Sequence, residues 1–167
     1  MAWYAGMKIT ADRLKYSSDF VVAHAALTSN SANVTSTTEV TVVTTPSASF
    51  EVGRAYRIEY NGLAQHGTTS LLDLLYLRFR RGSGALIRNV QDVPVANRGT
   101  ASRNTAVNVS TIVTPSAAIT DTVYMTASWD TGSTATFMLA GTSGTPGLLT
   151  VWDIGDASDY PGIATFS

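Results

Sequence analysis

The chain contains no cysteine. That removes disulfides, thiolate metal sites and cysteine nucleophiles, so packing or assembly must supply its stability. Charge is scarce as well: Asp, Glu, Lys and Arg make up 14% of the 167 residues, well below the usual quarter, and Lys8 and Lys15 are the only lysines. A net charge of -1 gives no basic face on which phosphates could dominate binding, so nucleic acid is not an expected partner. No run approaches the roughly 20 apolar residues of a membrane span, and Met1-Ala2-Trp3-Tyr4 does not begin a secretion signal. A soluble product with no membrane partner is the expectation. The nucleophile elbow, the P-loop, the dinucleotide fingerprint and the His-Glu-x-x-His pattern are all missing. His24 and His66 are the only imidazoles and stand in uninformative contexts. No catalytic residue and no cofactor is therefore assigned, and a non-enzymatic protein is expected.

What the chain does have is Thr, Ser, Ala, Val and Gly, a composition suited to β-sheets because a branched Cβ packs well on a pleated, half-buried surface. Strand signals run through Phe20–Leu27, Thr38–Val43, Arg54–Tyr60, Leu71–Arg81, Ala85–Arg88, Ala106–Val113, Thr122–Trp129, Ala135–Leu139 and Leu148–Trp152. In the third, Tyr56, Ile58 and Tyr60 alternate with Arg57 and Glu59, the period of a half-buried strand, and Asn61-Gly62 reads as the turn that ends it. The pattern predicts an all-β fold, a single jelly-roll-like β-sandwich of roughly eight to ten strands over 19–167. Residues 1–18 differ in character and read as a short N-terminal arm, with a terminus folded back on its own domain as the alternative.

Leu71–Arg81 is apolar on both alternating sets of positions. Leu71, Leu75, Leu77 and Phe79 share one face; Leu72, Leu74 and Tyr76 share the other. A strand apolar on both faces must be covered on both, so Leu72, Leu74 and Tyr76 are candidate oligomer-interface residues. Arg78, Arg80 and Arg81 end the same strand, and their planar forks suit carboxylates on a partner protein. Asp153, Asp156 and Asp159 recur at a spacing of three around Gly155, which makes them a weak calcium candidate because Ca²⁺ takes hard oxygen ligands; no other metal site suggests itself. Finally, Thr45-Pro46-Ser47-Ala48 and Thr114-Pro115-Ser116-Ala117 repeat one motif. In each case a β-branched strand runs in and an aromatic strand runs out, as two related Greek-key halves would give.

The N-terminal run Gly6-Met7-Lys8-Ile9-Thr10-Ala11-Asp12-Arg13-Leu14 resembles the Gly-x-x-Ile-Thr-Ala-x-x-Leu lead of small β-rich virion proteins of phages that infect actinobacteria. Phe50–Ile58, Leu75-Tyr76-Leu77-Arg78 and Asp159-Tyr160-Pro161-Gly162 are similar to the same group. The resemblance implies a jelly roll of the C1q or tumour-necrosis-factor type, a homotrimer, and a place in the virion as a capsid decoration, minor capsid or minor tail protein. Its expected partners are further copies of itself and the major capsid protein or other virion proteins. In that setting Trp3, Tyr4, Met7, Ile9 and Leu14 form a capsid-docking arm. The alternative is a tail or fibre-tip protein whose loops 61–70 and 141–147 bind a host surface glycan.

Overall fold

The structure, a computed structural model, describes residues 19–66, 73–95, 104–129 and 137–167. It is an all-β sandwich. Its strands are β1 (Phe20–Leu27), β2 (Val40–Thr44), β3 (Ala48–Phe50), β4 (Arg54–His66), β5 (Asp73–Arg81) and β6 (Leu86–Val95), then β7 (Asn104–Pro115), β8 (Ile119–Asp121), β9 (Val123–Trp129), β10 (Phe137–Ala140), β11 (Gly147–Asp156) and β12 (Ala164–Phe166). The count exceeds the expected range because three strands are only three residues long, too short to show a period in the sequence. Among the described residues the only helical element is a 3-10 turn at Ala157–Asp159.

The strands pair in a nested order, as one long antiparallel ribbon folded over itself. β5 pairs with β6 at its centre, then β4 with β7, β3 with β8, β2 with β9, and β1 with β11. Rolling this ribbon gives a first sheet ordered β1-β11-β4-β7-β12, with β10 also on β4, and a second sheet ordered β2-β9-β5-β6. Alternate ribbon pairs thus fall in opposite sheets, which is the jelly-roll arrangement. The repeated Thr-Pro-Ser-Ala motif marks where the ribbon crosses between them. Thr45–Ala48 leads from β2 to β4 and Thr114–Ala117 leads from β7 to β9; the short β3 and β8 that follow the two motifs pair with each other.

Each sheet turns one face inward, because side chains alternate along a strand. Tyr56, Ile58, Tyr60, Leu149 and Val151 come from the first sheet, and Leu75, Leu77, Phe79, Val123 and Met125 from the second; none is more than 1% exposed. Each large side chain so placed contributes about 1.5–3 kcal/mol relative to exposure. Phe50 closes one end of the core, packed edge-on against Tyr56 at 4.9 Å and Phe166 at 5.6 Å.

One turn signal is overturned. β4 does not stop at Asn61-Gly62 but runs through to His66, so 61–66 is strand and not a loop. Gly62 is needed for a different reason: a Cβ there, or at Gly147, would collide with the hydroxyl of Tyr60. The two glycines make room for the end of a large core ring.

Candidate functional site

The outer face of the second sheet gathers most of the residues singled out in the sequence. Leu75, Leu77 and Phe79 point into the core, which turns Leu74, Tyr76, Arg78 and Arg80 outward on β5. Leu74 and Tyr76 are half-buried. Leu72 and the arm residues Trp3, Tyr4, Met7, Ile9 and Leu14 lie outside the described residues, as do 67–70 of the first candidate loop.

The two arginines meet a carboxylate of their own chain. Arg80 forks onto Glu39, with Nε donating to Oε2 and Nη2 to Oε1, both at 2.6 Å. Thr126 Oγ1 donates to the same carboxylate at 2.6 Å, and Arg78 Nη1 stands 3.5 Å from it. Arg78 also donates to Asn89 Oδ1 at 3.0 Å and to Ser128 Oγ at 2.8 Å, and lies 5.7 Å over the Tyr76 ring. These bonds tie three strands of the sheet, β5, β6 and β9, to Glu39, the residue just before β2, in one polar network. The Arg80 hydrogen bond, working against burial and helped by Thr126 and the two arginine charges, pulls the Glu39 pKa from 4.5 to about 2. Arg81 pairs separately with Asp121 at 2.9 Å. The guanidiniums expected to face a partner protein thus bind intramolecular carboxylates, and Leu74 and Tyr76 are the half-buried apolar and aromatic positions of β5 on this face.

Glu39 was not singled out in the sequence. A signal existed, since it is the only Asp or Glu between Asp19 and Glu51, while four arginines crowd 78–88 with no acid among them.

On the outer face of the first sheet, register places Trp152 beside Arg57 and Thr150 beside Glu59. Trp152 Nε1 donates to Glu59 Oε1 at 2.9 Å, and the Arg57 guanidinium sits 5.5 Å over the indole. His24 Nδ1 contacts Thr150 Oγ1 at 3.2 Å. Thr150 faces Glu59, and His66 lies seven positions further along β4, so the two histidines stand about 20 Å apart along the sheet and do not form one site.

The calcium reading of the aspartates is corrected. Asp153 is 4% exposed and turned into the core, where it accepts from Arg54 Nε at 2.9 Å and from Arg54 Nη2 in a second short bond. It also accepts from the Gly155 N–H at 3.0 Å. The register shifts between Asp153 and Gly155, and Gly155 has φ +116°, so the glycine serves a β-bulge and not an ion loop. Asp156 caps the 3-10 turn by accepting from the Ser158 N–H at 2.8 Å, a bond that lowers its pKa. Asp159 is exposed. Among the described residues no three His, Cys, Asp or Glu side chains gather as a metal site. Beside the Arg54–Asp153 pair lies a cavity of about 100 Å³, lined by Phe20, Val22, Ser49, Glu51 and Tyr56.

No protein-family model matches the sequence, and no curated protein does.

Proposed function

We propose that this chain is a virion structural protein, a homotrimeric capsid decoration or minor capsid protein that binds the major capsid shell through its N-terminal arm. The observation that carries this reading is the strand order. A β1-β11-β4-β7 sheet facing a β2-β9-β5-β6 sheet is the jelly roll implied by the resemblance of the Gly6–Leu14 lead and the Phe50–Ile58 and Leu75–Arg78 stretches to actinobacteriophage virion proteins. Leu74 and Tyr76, half-buried on the outer face of the second sheet, supply the apolar contact between copies. Trp3, Tyr4, Met7, Ile9 and Leu14 supply the contact with the shell. Three arms docking together give avidity, because once one arm is bound the others face a high effective concentration.

Immunogold electron microscopy of the parent particle with an antibody against residues 19–167 tests the assignment. Label spread over the head is the expected result. Label confined to the tail overturns decoration in favour of tail structure or host recognition, and a particle without label removes the virion reading altogether.

A further inference from the structure

The strands that leave backbone open at the margins of the two sheets, β1, β2, β6 and the part of β7 beyond β12, are not equally protected. A free edge exposes unpaired N–H and C=O groups to any other strand, and proteins blunt it with short length, charge, proline or bulges. β2 has five residues, a register shift between Thr41 and Val43, and Glu39 just before it. β6 carries Arg88, Asp92 and Pro94, with two register shifts against β5. β1 shifts register between Val21 and Ala23.

β7 has none of these devices where it is open. It runs twelve residues and pairs with β4 from Tyr56↔Val113 to Gln65↔Asn104 without a register shift. From Asn104 to Thr120 the chain has no Asp, Glu, Lys or Arg. On the side away from β4, β12 covers only Val113–Pro115. Among the described residues nothing pairs with 104–112 on that side.

The sequence of this open stretch points to its occupant. Thr105-Ala106-Val107-Asn108-Val109-Ser110-Thr111 reads almost the same in both directions about Asn108. An antiparallel copy centred there sets Val107 against Val109, Thr105 against Thr111, Ala106 against Ser110, and Asn108 against itself. Residues directly opposite in an antiparallel pair point to the same side. Buried Val107 and Val109 therefore stay on the core side, while exposed Ala106, Asn108 and Ser110 stay outside. Thr–Thr and β-branched pairs are favourable cross-strand neighbours, and self-complementarity about a point is what a two-fold contact between identical subunits requires.

We infer that the free edge of β7 binds the β7 edge of a second copy, antiparallel and centred on Asn108, joining two first sheets into one continuous sheet. This contact does not depend on the virion assignment, and it lies at a different place from the Leu74–Tyr76 face. In a trimer built on that face it would link one trimer to another.

The absence of cysteine from the chain makes the test clean. In Asn108→Cys the two sulfur-bearing residues lie opposite each other, with Cα atoms about 4.5–5.5 Å apart, inside the range a disulfide spans. In Ser110→Cys, on the same edge and equally exposed, the two copies of the residue are about 14 Å apart, too far to bridge. Mild oxidation should convert Asn108→Cys to a covalent dimer on non-reducing gels and leave Ser110→Cys as monomer. Asn108→Lys, which sets like charges against each other, should halve the mass of the wild-type particle in light scattering while far-UV circular dichroism is unchanged. The inference is overturned if Asn108→Cys stays monomeric, if Ser110→Cys crosslinks as readily, or if Asn108→Lys leaves the mass unchanged.

Discussion

Arg54–Asp153 and Arg80–Glu39 join the same two chemical groups, each through a guanidinium fork, in two different settings. The first is shut inside the first sheet at 4% and 6% side-chain exposure. The second lies on the outer face of the second sheet at 24% and 23%, where Thr126 and Arg78 add to it. Burial tends to lower the Arg54 pKa, but the hydrogen bonds and charge of Asp153 outweigh it and leave the guanidinium more firmly protonated than usual. At the outer site water still reaches both partners. The contrast separates what a pair contributes while intact from what its loss costs: a buried charge stripped of its partner cannot turn to solvent, whereas a surface one can.

Breaking the buried pair should give the largest effect. Asp153→Ala leaves the Arg54 charge in the core and removes the acceptor of the Gly155 N–H, and unfolding in urea should show a loss of about 3–5 kcal/mol. Replacing both partners, Arg54→Met with Asp153→Leu, should recover most of that loss, because no charge then remains to be desolvated. A cost below 1 kcal/mol for the single change would mean that water reaches Arg54 through the neighbouring cavity, and the two settings would no longer differ.

Glu39→Gln should cost less, about 1–2 kcal/mol at neutral pH, because Arg78 and Arg80 keep access to solvent. Its pH dependence sharpens the comparison. The Glu39 pKa is depressed in the fold, from 4.5 to about 2. Its ionic contribution is therefore complete above about pH 4.5 and lost as pH falls toward 2. The stability difference between wild type and Glu39→Gln should shrink steadily across that window, measured by urea melts at successive pH values. A difference that stays constant from pH 5 to pH 2 would show that the network does not depend on the Glu39 charge.

The sequence made the strands of the ribbon legible wherever alternation was long. β1 spans the residues its apolar run marked, and Leu75, Leu77 and Phe79 face the core as the two-faced pattern of β5 requires. The Thr-Pro-Ser-Ala echo carried topological information, because the two motifs are the two strands of one ribbon turning the same corner. Pairings across the chain were much less legible. Glu39 and Arg80 are 41 residues apart, and Arg54 and Asp153 are 99 apart, distances at which no local period reports contact. Local signals also misled where a tertiary contact set the residue type. Asn61-Gly62 has turn chemistry, yet the glycine is there for the Tyr60 ring, and Gly155 has loop chemistry, yet it serves a bulge.

The smallest expected effect comes from the two core tyrosines of β4, which carry the ion-pair comparison over to uncharged groups. Tyr56 accepts from the Glu51 N–H at 2.8 Å, whereas the buried Tyr60 hydroxyl has no hydrogen-bond partner among the described residues, and burial pushes its pKa up to about 12. Tyr56→Phe strands a backbone donor and should cost about 1 kcal/mol. Tyr60→Phe removes a polar atom that gains nothing from being buried, so stability should stay level or rise by up to about 1 kcal/mol. Urea midpoints of the two variants should therefore move apart, Tyr56→Phe down and Tyr60→Phe unchanged or up, with equal denaturant slopes. An equal fall in both would mean that the Tyr60 hydroxyl contributes through its packing against Gly62 and Gly147, and that shape outweighs hydrogen bonding at this end of the core.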